Sequence, residues 1–302
     1  MKWYEVISKI DRRIIYLLLT VFIVLPFFVP FKIPENIMPQ TQKLFDFIES
    51  ISSHDKAVII TFDYTPQTEP ECRPMAIALL KHCFARRIPI IGVSFDPQGP
   101  GLAVDAFNTV VNEINKTATS KHDSLIYGQD YIYLGWKSGR VAALLDMGEN
   151  IAGVFPRDYF GYSIDSFPLM RKVRNYKDVM IAIILAGAAY PEDWVLYAQA
   201  RYGVKVGAGL TAVMAPEYYP YLQTGQFSGM LSGMKGAAEY ENLIVKHGYT
   251  TKLGKAETGM NSQSLIHILI IVFILLGNIG YFFSRVRKRP TLVINEPRRA
   301  PR

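Results

Sequence analysis

Asp63 follows the apolar run Ala57 to Phe62, AVIITF, and Asp96 follows Ile88 to Phe95, IPIIGVSF. Short, continuous apolar runs bounded by turn residues read as strands of a buried parallel sheet. In such sheets ligands bind beyond the carboxyl ends of the strands. If these two strands are neighbours, both carboxylates reach one crevice as a candidate catalytic pair. Both also fit a plainer role, because a short carboxylate bonds its own backbone and forms turns. Gly99 and Gly101 flank Pro100 at the start of a helical pattern. The free N–H groups of a helix start can receive an anion, which makes these glycines candidate ligand-binding positions.

Other chemical signatures are weak or missing. Gly207-Ala-Gly209-Leu-Thr-Ala212 matches the G-x-G-x-x-A form of a dinucleotide loop. The prolines in VMAPEYYP that follow suit a long crossover helix poorly, and the match falls late in the fold. No nicotinamide, flavin or other cofactor is therefore expected. There is no G-x-S-x-G elbow, no H-E-x-x-H and no phosphate-binding G-x-x-x-x-G-K-[ST]. His54, His82, His122, His247 and His267 lack ligand spacing, so no metal is expected either. Cys72 and Cys83 share one predicted helix but lie about 16 Å apart along its axis, too far to bridge. They read as buried thiols.

In GQFSGMLSGMKG, glycine recurs at every fourth position, Gly225, Gly229 and Gly233, with Gly236 three residues further on. On a helix that spacing makes a bare stripe along one face. The segment carries Gln226, Lys235, Glu239 and Glu241, so it belongs to a water-exposed domain and not to a membrane. Gly225, Gly229 and Gly233, with Met230 and Met234 beside them, are candidates for close packing on the chain's own sheet or for an interface with another subunit.

The elements that must position these residues alternate along the chain. Helical segments at Arg73 to Arg87, Leu102 to Lys116, Ser138 to Met147 and Pro191 to Tyr202 separate strands at 57–62, 88–95, 131–134, 179–185 and 204–213. The pattern predicts a Rossmann-like three-layer α/β sandwich with a mostly parallel sheet. Asn150 to Lys177 has no clear period and reads as a long excursion. Aromatics crowd Tyr127 to Trp136 and Tyr218 to Tyr221, where they suit a core, a sugar or a partner.

Two uncharged apolar segments, 14–31 and 265–283, are each about 27 to 29 Å long as helices, close to the thickness of a bilayer core. The expected order is a basic N-terminus (1–13), a transmembrane helix (14–31), an extracytoplasmic α/β domain (32–263), a second transmembrane helix (264–284) and a basic tail (285–302). The net charge of +7 is concentrated on the flanks. Lys2, Lys9, Arg12 and Arg13 oppose Glu5 and Asp11 at the start. Seven arginines and lysines from Arg285 onward oppose only Glu296 at the end. What lies between is nearly neutral, which excludes a nucleic-acid partner and points to lipid headgroups and membrane proteins, or to self-association.

Asp55-Lys56-Ala57-Val58 and the strand they open resemble the outer domain of auxiliary subunits in gliding-type ABC transport systems. The likeness is short, contains no diagnostic motif and assigns no family. The layout of two anchors around one domain favours a non-catalytic scaffold or auxiliary subunit of an export, transport or cell-envelope assembly in the inner (plasma) membrane. The alternatives are an envelope enzyme acting on glycans or activated sugars through Asp63 and Asp96, and a tethered solute-binding domain. The charge asymmetry predicts that both termini are cytoplasmic. A C-terminal tag should resist protease in intact cells, and a tag cleaved from outside would overturn that topology.

Overall fold

The computed structural model describes residues 11–29, 36–52, 56–118, 120, 123–251 and 254–287, with side chains as far as 283. The chain divides into two compact units, residues 33–260 and residues 1–32 with 261–302.

In the first unit, six strands form one sheet in the order β3-β2-β1-β4-β5-β6. They are β1 (Ala57–Asp63), β2 (Ile90–Ser94), β3 (Tyr131–Trp136), β4 (Val179–Ala186), β5 (Lys205–Leu210) and β6 (Phe227–Ser232). Every pairing is parallel. β1 is buried along its whole length, which is why its apolar residues do not alternate with polar ones. Val58, Ile60 and Phe62 enter the apolar cluster on one face, Ala57 and Ile59 the cluster on the other.

The first face is covered by α2 (Pro39–Glu49), α3 (Glu69–Ala85), α4 (Gly99–Thr117) and α7 (Gly233–Lys246). The second is covered by α5 (Arg140–Glu149), by α6 (Ala215–Gln223) and by a helical run of Pro191–Asp193, Trp194–Gln199 and Ala200–Tyr202 whose middle part is wound as a π-helix. The architecture is Rossmann-like α/β. Within the excursion at 150–177, short helices at Ile151–Val154 and Pro168–Lys172 add Ile151, Leu169 and Met170 to the second core.

The glycine-rich segment is not a helix, and the expected stripe is corrected. Gly225 (φ +75°) sits in a turn, Gly229 lies in β6, and Gly233 (φ +60°) opens α7. A Cβ on Gly229 would overlap the Leu44 backbone nitrogen of α2. Gly207 of β5 also faces Leu44, with room of only 2.9 Å to its side chain, and Gly209 faces Met75 of α3. These glycines form a bare floor on which α2 rests, burying Leu44, Phe45 and Ile48. Gly229 and Met230 are therefore core residues, closed to any partner. Met234 is half-buried with its sulfur near Gly259, and Gly225 is exposed in open space. The helix α2 itself lies in a stretch to which the sequence reading assigned no element.

One polar cluster of the core is closely paired. His82 is fully buried between Glu49 and Tyr240, at 2.7 Å on each side. Burial pushes its pKa down to about 4, although Glu49 pulls upward. The neutral ring donates from Nε2 to the carboxylate and accepts the tyrosine hydroxyl at Nδ1. Cys72 and Cys83 are free and buried, and burial pushes both thiols up to about 12.

The second unit contains α1 (Arg12–Phe28) and most of α8 (Lys255–Arg287). Lys255–Phe283 is long and apolar enough to cross a membrane. The 17 residues of α1 span about 25 Å, short of a bilayer core, so a span is supported for the C-terminal helix alone. Asn278 bonds the Ile274 carbonyl of its own helix and not a neighbouring helix. Residues 1–10 and 288–302, which carry most of the flanking charge, lie outside the described residues, as do His54 and His122.

The glycine floor sets a contrast. Gly229→Ala should destabilise the protein by about 3 kcal/mol or more, because α2 must lift off the sheet. Gly225→Ala, with space but a left-handed backbone, should cost only about 1 kcal/mol. Denaturant unfolding followed by circular dichroism checks the pair, and equal losses would show that the floor is not tight.

Candidate functional site

The strand order reverses between β1 and β4, the place where an open α/β sheet usually opens a crevice. β1 and β2 are adjacent, so Asp63 and Asp96 do come together. Asp63 Oδ1 accepts the backbone N–H groups of Phe95 (2.5 Å) and Asp96 (3.1 Å). Asp96 Oδ1 accepts from Gln98 N–H at 2.8 Å, which shapes the turn into α4, and its Oδ2 accepts the Tyr190 hydroxyl at 3.0 Å. The Tyr190 ring lies under the Arg140 guanidinium, 4.3 Å from centroid to Cζ. Arg140, the first residue of α5, pairs with Asp193 at 2.5 Å. The loops after β1, β2, β3 and β4 are thus joined in one polar network.

Electrostatics follow from that packing. Burial pushes Asp63 up to about 6, while the Phe95 N–H, the nearby Thr61 hydroxyl, the Asp96 N–H and the Arg140 charge oppose the rise. Its Oδ2 is fully buried and has no hydrogen-bond partner among the described residues. Tyr190 is pushed up to about 12, first by burial and then by its bond to Asp96. Beside the end of β4, Thr68 packs on Gly187 so closely that a Cβ there would come within 2.6 Å of it. Further along, Glu71 accepts the Ala212 N–H at 2.8 Å and ties α3 to the loop after β5.

Of the candidate anion-binding glycines, Gly99 is buried against the Phe62 carbonyl and Ser94, and its N–H donates to Asp96 O at 3.1 Å. Only Gly101 faces open solvent. Gly207 and Gly209 of the dinucleotide-like fragment lie inside β5, not in a phosphate-facing loop. Among the described residues, no group of three or more His, Cys, Asp or Glu side chains is arranged to hold a metal.

Beside the network lies a surface that the sequence signalled only as an excursion. Asp158 is buried; it accepts Tyr162 N–H at 2.8 Å and the Tyr127 hydroxyl at 2.7 Å, and so fixes a tight loop closed by the Arg157–Ser163 bridge. The loop presents Tyr159 (45% exposed), Phe160 (54%) and Tyr162 (64%). Trp136 is 46% exposed next to them, its indole N–H spent on the Phe95 carbonyl. Gly135 (φ +93°) allows the Tyr159 backbone to approach β3.

A separate groove of about 500 Å³ lies between α3, α4 and the Gly248–Thr251 loop. Its charges are paired, Lys81 with Glu113 at 2.8 Å and Arg87 with Asp123 at 3.8 Å.

No family model and no curated protein matches the chain. Among solved structures it is similar to a trehalose-6-phosphate synthase, OtsA, at 9% identity and a TM-score of 0.31, over 85% of this chain and 48% of that one. The chain thus spans about half the length of that structure, and nothing about activity passes across so slight a likeness.

Asp63 provides a test of the network. Its folded pKa lies above the unfolded value of 3.8, so the folded state holds the proton more tightly. Stability is highest with the proton bound, and falls as pH rises from about 4 to about 6, by roughly 3 kcal/mol for a fully buried group. Asp63→Asn keeps an acceptor for both N–H groups and removes the titration. The variant should be more stable than the wild type above pH 6 and equal to it near pH 4, as read from denaturation midpoints at each pH.

Proposed function

We propose that the chain is a non-catalytic, membrane-anchored scaffold or auxiliary subunit of an export, transport or cell-envelope assembly. Its α/β domain works outside the cytoplasm and docks on a protein partner through the loops at the carboxyl edge of the sheet. One observation carries this reading. The charged groups at that edge bond one another, while the aromatic side chains beside them stay exposed. Asp96 has both oxygens bonded, Arg140 is held by Asp193 and Tyr190, and Thr68 packs on Gly187 beside the switch point. Trp136, Tyr159, Phe160 and Tyr162 supply rigid apolar area of the kind that anchors protein interfaces. The apolar α8 supports the anchoring.

A second reading rests on Asp63. A buried carboxyl with a pKa near 6 and one unbonded oxygen suits proton transfer, as an envelope enzyme would need. Complementation separates the two. In cells lacking the protein, the double variant Asp63→Asn, Asp96→Asn should restore function and the double variant Phe160→Ala, Tyr162→Ala should not, with both present at wild-type levels. The opposite outcome would support the enzyme and overturn the scaffold.

A further inference from the structure

The first turn of α8 is fastened to the domain by a buried carboxylate. Glu241 of α7 is 3% exposed, and its two oxygens accept the N–H groups of Ala256 (3.4 Å) and Glu257 (3.2 Å). Those are N–H groups that a helix start leaves without an intrahelical partner. Gly254 makes the contact possible, since a Cβ there would overlap the Glu241 carboxylate. Ala256 is buried in the core cluster beneath α7, so the helix start is seated as well as capped.

We propose that this contact is a proton-operated latch, which holds the start of α8 more firmly as pH falls and releases it as pH rises through neutrality. The surroundings set the direction. Burial pushes the Glu241 pKa up to about 7, the two N–H groups pull down, the Glu257 charge adds to the rise, and Lys81 of α3 opposes it. Lys81 is itself shared with Glu113 of α4 at 2.8 Å. The remaining charged or titratable groups of this corner bond elsewhere. Glu49 of α2 accepts from His82 and Tyr249, and Glu239 of α7 turns to Met38 and Thr41. Among the described residues, Lys81 is the cation that acts on Glu241.

With the latch open, Glu241 returns toward its ordinary value of 4.5. The closed state therefore binds the proton more tightly, and its advantage disappears as pH climbs from about 4.5 to about 7. Between pH 5 and pH 8 the ratio of closed to open should fall by roughly 70-fold. Because α8 carries the apolar span, the latch makes the junction between domain and anchor responsive to the pH on the domain's side.

Hydrogen exchange of the Ala256 and Glu257 amides tests this in the full chain in detergent micelles, with rates corrected for the intrinsic pH dependence of exchange. Protection in the wild type should drop by tens of fold from pH 5 to pH 8. Glu241→Gln should flatten the dependence, and Glu257→Gln should move its midpoint to lower pH. A flat wild-type profile, or a Glu241→Gln profile equal to that of the wild type, would overturn the latch. If Glu241→Gln does not fold, an unmoved midpoint in Glu257→Gln overturns it equally.

Discussion

Three consecutive side chains of α7 hold the domain's two ends to the helices between them. Glu239 caps the first turn of α2 through Met38 N–H and the Thr41 hydroxyl, Tyr240 donates to His82 of α3, and Glu241 caps the first turn of α8. Each of these groups is almost fully buried. Buried hydrogen bonds of this kind contribute about 1 kcal/mol each, and a buried donor or acceptor left without its partner costs about 1 to 3 kcal/mol. The position of α2 over the glycine floor thus depends on α7 being in register.

The carboxyl edge of the sheet shows the opposite use of charge. Its carboxylates, guanidinium and phenol fasten loops to one another. That arrangement holds the loops in place, and in the proposed docking role the side chains of the neighbouring aromatic loop would lose little freedom on binding. Asp158 does for that loop what Asp63 does for the turn after β2: one buried carboxylate fixes several backbone and hydroxyl groups.

Strands β1 to β5 were legible in the sequence because burial on both faces removes the polar alternation, whereas β6 was hidden under glycines that read as a helix face; the meeting of Asp63 with Asp96 followed from placing both after such strands. Arg140, Tyr190 and Asp193 were not legible as partners. Their encounter depends on the chain crossing from β3 over to β4, which no local spacing encodes. The glycines misled for a physical reason. A period of four arises on a helix face, but here a turn, a strand packed under Leu44 and a helix start each required glycine independently. A residue that matters for what approaches it cannot be read without knowing the visitor. The same holds for α2, whose few apolar residues acquire meaning only above β5 and β6.

The clasp on α7 also has a mechanical meaning. The start of α2 and the start of α8 are held two residues apart on one helix, so tension applied at one end of the domain reaches the other through a short stretch of α7. The sheet and the aromatic loop lie off that load path. Strain between the flanking segments would be borne by a few side-chain bonds, and the aromatic loop would keep its shape while the molecule is pulled.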